Sequence, residues 1–181
     1  KLSEMAEALR GVVFQAKLGT SYEKIERFSA LAVDIGARTG FSRPLEKNET
    51  PADFLADSFN PASYDRAAID PGLYAKFVLA RGSMLAKADL TSGVVGEFPK
   101  LQGIMGSTYA KRGGETDEIS VAIYEHYLPT ASGGQLPVSM PGAIISIADK
   151  IDTICGCFSV GLVPTGAQDP YGLRRQALGI I

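Results

Sequence analysis

The sequence predicts an all-α fold: a bundle of helices forming one domain across residues 1–181. Three observations carry that prediction. Apolar residues recur at spacings of three and four along most of the chain, the signature of helices with one inward face. Helix-start residues stand directly ahead of these segments. No run of alternating apolar and polar residues lasts long enough to build a sheet.

Taken in order, Ser3 is placed to cap a first helix through Leu18, with Met5, Leu9, Val12, Val13 and Ala16 as its stripe and Gly19 as its end. Thr20-Ser21-Tyr22-Glu23 is a capping box, in which hydroxyl and carboxylate each satisfy the other residue's backbone donor. It opens a second helix with Ile25, Phe28, Leu31, Ala32 and Ile35 inward and Gly40 at the C′ position. Residues 41–64 lack this periodicity and are rich in Pro and Asn. They read as a loop-rich local insertion holding at most one short helix, Pro51 to Ser58, capped by Thr50.

Asp70-Pro71 starts a long third helix running to Pro99, with Tyr74, Phe77, Val78, Met84, Leu85, Ala88 and Val95 supplying bulk. Gly82 and Gly93 mark a kink or a close helix crossing within it. Lys100 to Lys111 forms the next helix, with Leu101, Ile104, Met105 and Tyr109 apolar, and Gly113-Gly114 closes it. Thr116 caps a helix carrying Ile119, Ala122, Ile123 and Tyr127 that ends at Pro129. Residues 131–141 form a flexible loop, with Ser139 as cap and Pro141 in the first turn of the helix that follows.

That helix carries Ile144, Ile147, Ala148, Ile151, Ile154, Cys155 and Phe158 on one stripe, with Asp149 and Asp152 together on another face. Asp169-Pro170 then starts a last helix bearing Arg174 and Arg175.

Composition narrows the function classes. Hydrophobic residues make up 45% and charged residues 21%, the ordinary globular range. The net charge of −2 gives the chain no long-range attraction for phosphate, so a nucleic-acid contact requires a local basic patch. There is no signal peptide and no apolar run of membrane-spanning length, and the expected location is cytoplasmic. Cys155 and Cys157 are one residue apart, too close for a C-x-x-C metal motif and badly strained as a disulfide. They read as reduced and structural, Cys155 in the core stripe and Cys157 turned away. The chain opens inside a helical pattern at Lys1-Leu2 and stops at Ile180-Ile181, as an internal piece of a longer protein would.

Several segments together carry a resemblance: FQAKLGTSYEKIERFSALA at 14–32, KADL at 87–90, EFPKLQGIMGSTYA at 97–110, EHYLP at 125–129, ADKIDT at 148–153 and PTGAQDPYGLRRQALGI at 164–180. In content and order they resemble the β-subunit family of bacterial glycyl-tRNA synthetases, over nearly the whole chain. The resemblance implies a subunit of an enzyme that joins glycine to tRNA(Gly) using ATP. Glycine, ATP and magnesium are then handled on the α subunit, tRNA is held chiefly by β, and the assembly is an α2β2 heterotetramer. No cofactor is expected in this region and no catalytic residue. Its role would be to position tRNA and scaffold the assembly, and it would be catalytically silent alone.

The same resemblance implies an HD-domain-like helical bundle, similar to metal-dependent phosphohydrolases in which His and Asp side chains from separate helices clamp a divalent metal that activates water. Asp89, His126 and Asp149 follow in the expected order. The departures from that pattern are Ala88, which stands where the ligand His would be, and the lack of any upstream histidine in a chain with a single His. Imidazole ligands are what suit such a site to a transition metal. The expectation is therefore a vestigial pocket with no metal, its two aspartates serving as hydrogen-bond or ion-pair partners, for instance of Lys87 and Lys150. His126, near a helix C-terminus, reads as structural. The alternative is an active HD-type nucleotide phosphohydrolase.

For RNA contact the candidates are Arg174 and Arg175, two guanidinium groups near a helix N-terminus where a phosphate is favoured. The competing reading pairs one of them with Asp149 or Asp152. Adjacent helical residues diverge by about 100°, so the two arginines do different jobs. Lys24, Arg27, Lys111 and Arg112 are further basic candidates, for each of which plain solvated surface is the favoured reading. Thr165-Gly166 is not a P-loop, because the further glycines and the Lys-Ser/Thr pair are missing.

Overall fold

The computed structural model describes residues 1–56, 69–166 and 168–181. Among them the fold is all-α apart from one two-stranded ribbon. The helices are α1 (Leu2–Ala8), α2 (Ser21–Arg38), α3 (Pro51–Ala56), α4 (Pro71–Leu85), α5 (Gly93–Glu97), α6 (Ile104–Arg112), α7 (Asp117–Glu125), α8 (Met140–Ser159) and α9 (Leu173–Leu178). The ribbon pairs β1 (Val13–Gln15) with β2 (Gly19–Thr20) antiparallel.

The packing centre is α2 against α4 and α8, with α7 closing on α4 and α8. Ile25, Phe28, Leu79, Ile119, Ile123 and Ile145 are fully buried there. Each such side chain contributes about 1.5–3 kcal/mol by leaving water. Gly82 lies at the α4–α8 crossing: a Cβ there would stand 3.1 Å from Ile145 Cδ1, so the glycine marks a close approach.

Local start signals predict the openings of α2, α3, α4, α7 and α8, whereas α1 opens at Leu2 with Lys1 at the cap, ahead of the expected Ser3. Thr20 Oγ1 accepts from the Glu23 amide at 3.2 Å while Glu23 Oε2 accepts from the Thr20 amide at 2.7 Å. Thr50 and Asp53 repeat this exchange at α3. Asp70, Thr116 and Ser139 cap α4, α7 and α8. Gly40, at φ +74°, lets the Phe41 amide return to the Gly36 carbonyl and ends α2. The expected end of α3 at Ser58, and the part of the 41–64 segment from 57 onward, lie outside the described residues.

Four expectations are corrected. The first helix stops at Ala8, followed by a 3₁₀ turn over Leu9–Gly11; Val12 and Val13 leave the helix and are exposed. Gly11 and two β-branched residues favour that exit, and Gly19, at φ +86°, turns the ribbon. The third helix ends at Leu85, not near Pro99. Ala88–Thr91 is a 3₁₀ turn, and Ser92 caps the separate α5. The following helix starts at Ile104, not Lys100, because Gly103 sits at φ +79° where a Cβ would meet Tyr127 at 2.6 Å. The last starts at Leu173, not at Asp169-Pro170. Asp169 still caps it from outside, accepting from the Leu173 and Arg174 amides.

A fifth correction concerns the inward face of α8. Ile144 and Ala148 are buried as the spacing predicts, but Ile145 is buried in place of the expected Ile147, and beyond them the buried side chains are Asp149, Lys150, Thr153 and Cys157. Phe158 is 50% exposed. The cysteines are reversed: Cys155 is exposed and Cys157 buried, both free thiols. No helix among the described residues is long and apolar enough to cross a membrane.

Candidate functional site

The polar half of α8 closes on α2 and on the chain following α4, and the residues between them are charged. Lys24 of α2 is buried; its Nζ lies 2.7 Å from Asp149 Oδ1 and 3.1 Å from Asp152 Oδ2, and it donates to Thr153 Oγ1 at 2.6 Å. Lys87 reaches Asp149 Oδ2 at 2.8 Å from the other side. Lys87 Nζ also lies 3.2 Å from His126 Nε2. The His126 Nδ1–H donates to the Ile123 carbonyl at 2.6 Å, since a carbonyl can only accept. That leaves Nε2 to accept from the lysine. Arg27 fixes the second carboxylate, with Nε 2.8 Å from Asp152 Oδ1.

The electrostatics follow from this geometry. Burial alone would push the Asp149 carboxyl up, but the Lys87 and Lys24 ammoniums outweigh it and hold the group well below the usual carboxylate range. Burial pushes the Lys87 ammonium down against the pull of Asp149. His126, fully buried beside Lys87, is held neutral far below the ordinary imidazole range, chiefly by burial. Burial brings Lys150 down to about 8.

Asp89 has a separate environment. Its Oδ2 accepts from the Gly103 amide at 2.7 Å and the Gly106 amide at 2.9 Å, binding the first turn of α6 to the segment after α4. Its other oxygen is buried with no hydrogen-bond partner among the described residues. Burial raises its pKa, opposed by those two amides. A Cβ at Gly106 would lie 2.9 Å from Ile123 Cγ2 and 3.1 Å from Asp89 Oδ2, so a side chain there would displace one of them.

The predicted trio of Asp89, His126 and Asp149 is therefore distributed. His126 and Asp149 meet only through Lys87, and Asp89 is directed at backbone amides. Among the described residues no group of three or more His, Cys, Asp or Glu side chains is arranged to hold a metal. The donor set fits a divalent cation poorly, since both Asp149 oxygens already face ammonium groups. The expected Lys87 ion pair exists, on Asp149. Lys150 has carbonyl and hydroxyl oxygens for partners instead of a carboxylate: Leu128 O at 2.8 Å and the Ser146 hydroxyl.

Arg174 and Arg175 diverge, as their adjacency predicts. Arg174 is exposed, and its Nη1 donates to the Gly166 carbonyl at 2.7 Å. Arg175 lines a cleft of about 530 Å³ that opens over the lysine–carboxylate cluster. Neither pairs with Asp149 or Asp152, whose partners are Lys24, Lys87 and Arg27. The residue that sequence reasoning missed is Lys24, expected at the surface and found at the centre. The available signal was its place among Ser21, Ile25 and Phe28 on the buried face of α2, opposite two aspartates lacking a basic residue at i+4.

Comparison with known proteins is consistent along the whole chain. The family model described as glycyl-tRNA synthetase beta subunit matches residues 1–181. Relatives named glycine–tRNA ligase beta subunit are 52% identical over 181 residues in Geobacter sulfurreducens, 51% in Geobacter metallireducens and 45% in Syntrophotalea carbinolica. In each case the match covers 100% of this chain and 22% of the relative, so the chain spans about a fifth of the length of these relatives. With every residue from 1 to 181 inside the matching model, the chain belongs to the glycyl-tRNA synthetase beta subunit family.

Proposed function

We propose that this chain is a tRNA-positioning and scaffolding region, HD-like in architecture, of a cytoplasmic glycine–tRNA ligase. In that enzyme the α subunit attaches glycine to tRNA(Gly) with ATP and magnesium, and the assembly is α2β2. The observation that carries the reading is the family match over residues 1–181. The chemistry of the buried cluster supports a non-catalytic role for this region. Asp149 is neutralised by two ammoniums, and His126 is fully buried with both nitrogens engaged, so neither is free to act as a general base. A metal-dependent phosphohydrolase needs the opposite, carboxylates and imidazoles with lone pairs free for the ion.

The RNA contact is assigned to Arg174, whose guanidinium is held at the Gly166 carbonyl, and to Arg175, at the mouth of the cleft. The test is filter binding of tRNA to the full α–β assembly, wild type against Arg174→Ala and Arg175→Ala, over a salt series. Loss of a phosphate contact weakens binding uniformly and lowers the salt slope by about 1 per arginine. Unchanged affinity and slope in both variants would reject this role.

A further inference from the structure

The outward side of α8 carries an apolar strip of its own. Met140, Ile147, Ile151, Ile154 and Phe158 follow at steps of seven, four, three and four. At about 100° per residue they share one narrow strip along the whole helix, the a/d spacing of a helix-pairing seam. Ile144 belongs to the same series but already packs into the core. The other five lie outside that core: Met140 is 56% and Phe158 50% exposed, and the three isoleucines between them are half-buried.

The strip is free of charge. Asp149, Lys150 and Asp152 are the charged residues of α8, and all three are turned into the fold. There Lys24, Lys87 and Arg27 hold the carboxylates, and the Leu128 carbonyl accepts from the ammonium. The loop before α8 prolongs the apolar surface. The buried Glu125 carboxylate accepts from the Val138 and Ser139 amides at 3.0 Å each, which fixes the loop with Leu136 and Val138 exposed just ahead of Met140.

The chemistry of the strip and the size of the relatives together indicate what covers it. Transient interfaces are about as polar as the rest of a protein surface, whereas permanent ones resemble a core cut in half. An uncharged strip about 27 Å long is of the permanent kind. The chain spans about a fifth of the length of its relatives, so a permanent partner is available within one such polypeptide.

We propose that the outer strip of α8 is the packing site for an amphipathic helix from the part of the same β subunit outside residues 1–181. That helix lies along Met140 to Phe158 and presents its own aliphatic residues at a/d spacing. The proposal rests on the reading of this chain as a region of that subunit. It uses none of the groups assigned to the RNA contact or to the buried cluster.

The test is photo-crosslinking in the complete α–β assembly that contains this chain, with a photoreactive benzoylphenylalanine in place of Phe158 or of Met140, one at a time. Both positions are at least half exposed, so the probe does not disturb the core. Each probe is expected to crosslink within its own β polypeptide, at a residue outside 1–181. The two crosslinked sites should lie in one apolar segment about 18 residues apart, because both helices rise by the same step. Ile151→Glu, between the probes, should lower both yields about tenfold by placing a carboxylate in the seam. Glycylation of tRNA by the same assemblies checks the subunit reading separately. In an active assembly, crosslinks to the α subunit, to a second β subunit, to tRNA or within residues 1–181 would overturn the proposal and leave that reading standing. So would no crosslink, sites in two unrelated segments, or unchanged yields in Ile151→Glu.

Discussion

The two halves of α8 are built from similar sequence and bury opposite chemistry. Its first half sets Ile144, Ile145 and Ala148 into the apolar core. Its second half buries Asp149, Lys150 and Thr153 and leaves Cys155 and Phe158 at the surface. Apolar residues continue at helical spacing through Ile151, Ile154 and Phe158, so the helix itself does not choose its inward face. The facing element does. Where α4 and α7 present Leu79, Ile119 and Ile123, isoleucines are drawn in; where α2 presents Lys24, carboxylates are.

The strongest test of that contrast is to remove the carboxylate from the polar half. Asp149→Ala leaves Lys24 and Lys87 facing each other's charge in a buried site. Losing one partner of such a group costs about 3–5 kcal/mol, because the other charge stays buried unpaired. Urea unfolding measures it. A loss below about 1 kcal/mol would mean the cluster is effectively solvated, and the contrast between the halves would fail.

The apolar half gives the next largest effect and the sharper comparison within one helix. Ile145→Ala, at a fully buried site, is expected to cost about 2–5 kcal/mol. Phe158→Ala removes a larger side chain that is 50% exposed, and should stay within about 0.5 kcal/mol. The ordering is the point: the smaller residue matters more because its partners, not its size, set the burial. Equal losses at the two positions would mean that Phe158 packs inward, as the spacing suggests.

These cases show what could be read in advance and why the rest could not. The starts of α2 and α4 were legible because each cap is decided within four residues, at Thr20–Glu23 and Asp70–Leu73. The end of α4 was not, because a contact from far along the chain is involved: Asp89 is bound by amides 14 and 17 residues later, at Gly103 and Gly106. The exit of the first helix at Val12 likewise rests on a ribbon closed across the Gly19 turn. In the site, Asp149 and His126 were named from the resemblance, and the Lys87 pairing followed from their chemistry. Lys24 was not named, because its partner lies 125 residues away and a buried lysine reads as a surface one until that carboxylate is placed opposite it. The burial of Cys157 instead of Cys155 has the same cause, the inversion of the inward face along α8.

A more gradual effect concerns pH, and it isolates His126 within the cluster. Its pKa is depressed well below the ordinary value of 6.5 in the fold, so below that value the unfolded chain binds a proton that the folded chain does not. Stability is then fully present above pH 6.5 and declines as pH falls, by at most about 1.4 kcal/mol per pH unit. Asp149, held low by its lysines, adds the same sense of loss only under its unfolded value of 3.8. Asp89, whose pKa is raised, works the other way, since acidification favours its protonated folded form. Urea midpoints between pH 7 and 4.5, in wild type and His126→Gln, separate these contributions: the variant should lose the decline below pH 6.5 whatever its absolute stability. An undiminished slope would place the imidazole in contact with solvent. The polar half of α8 would then be a wet crevice and not the buried counterpart of the apolar half.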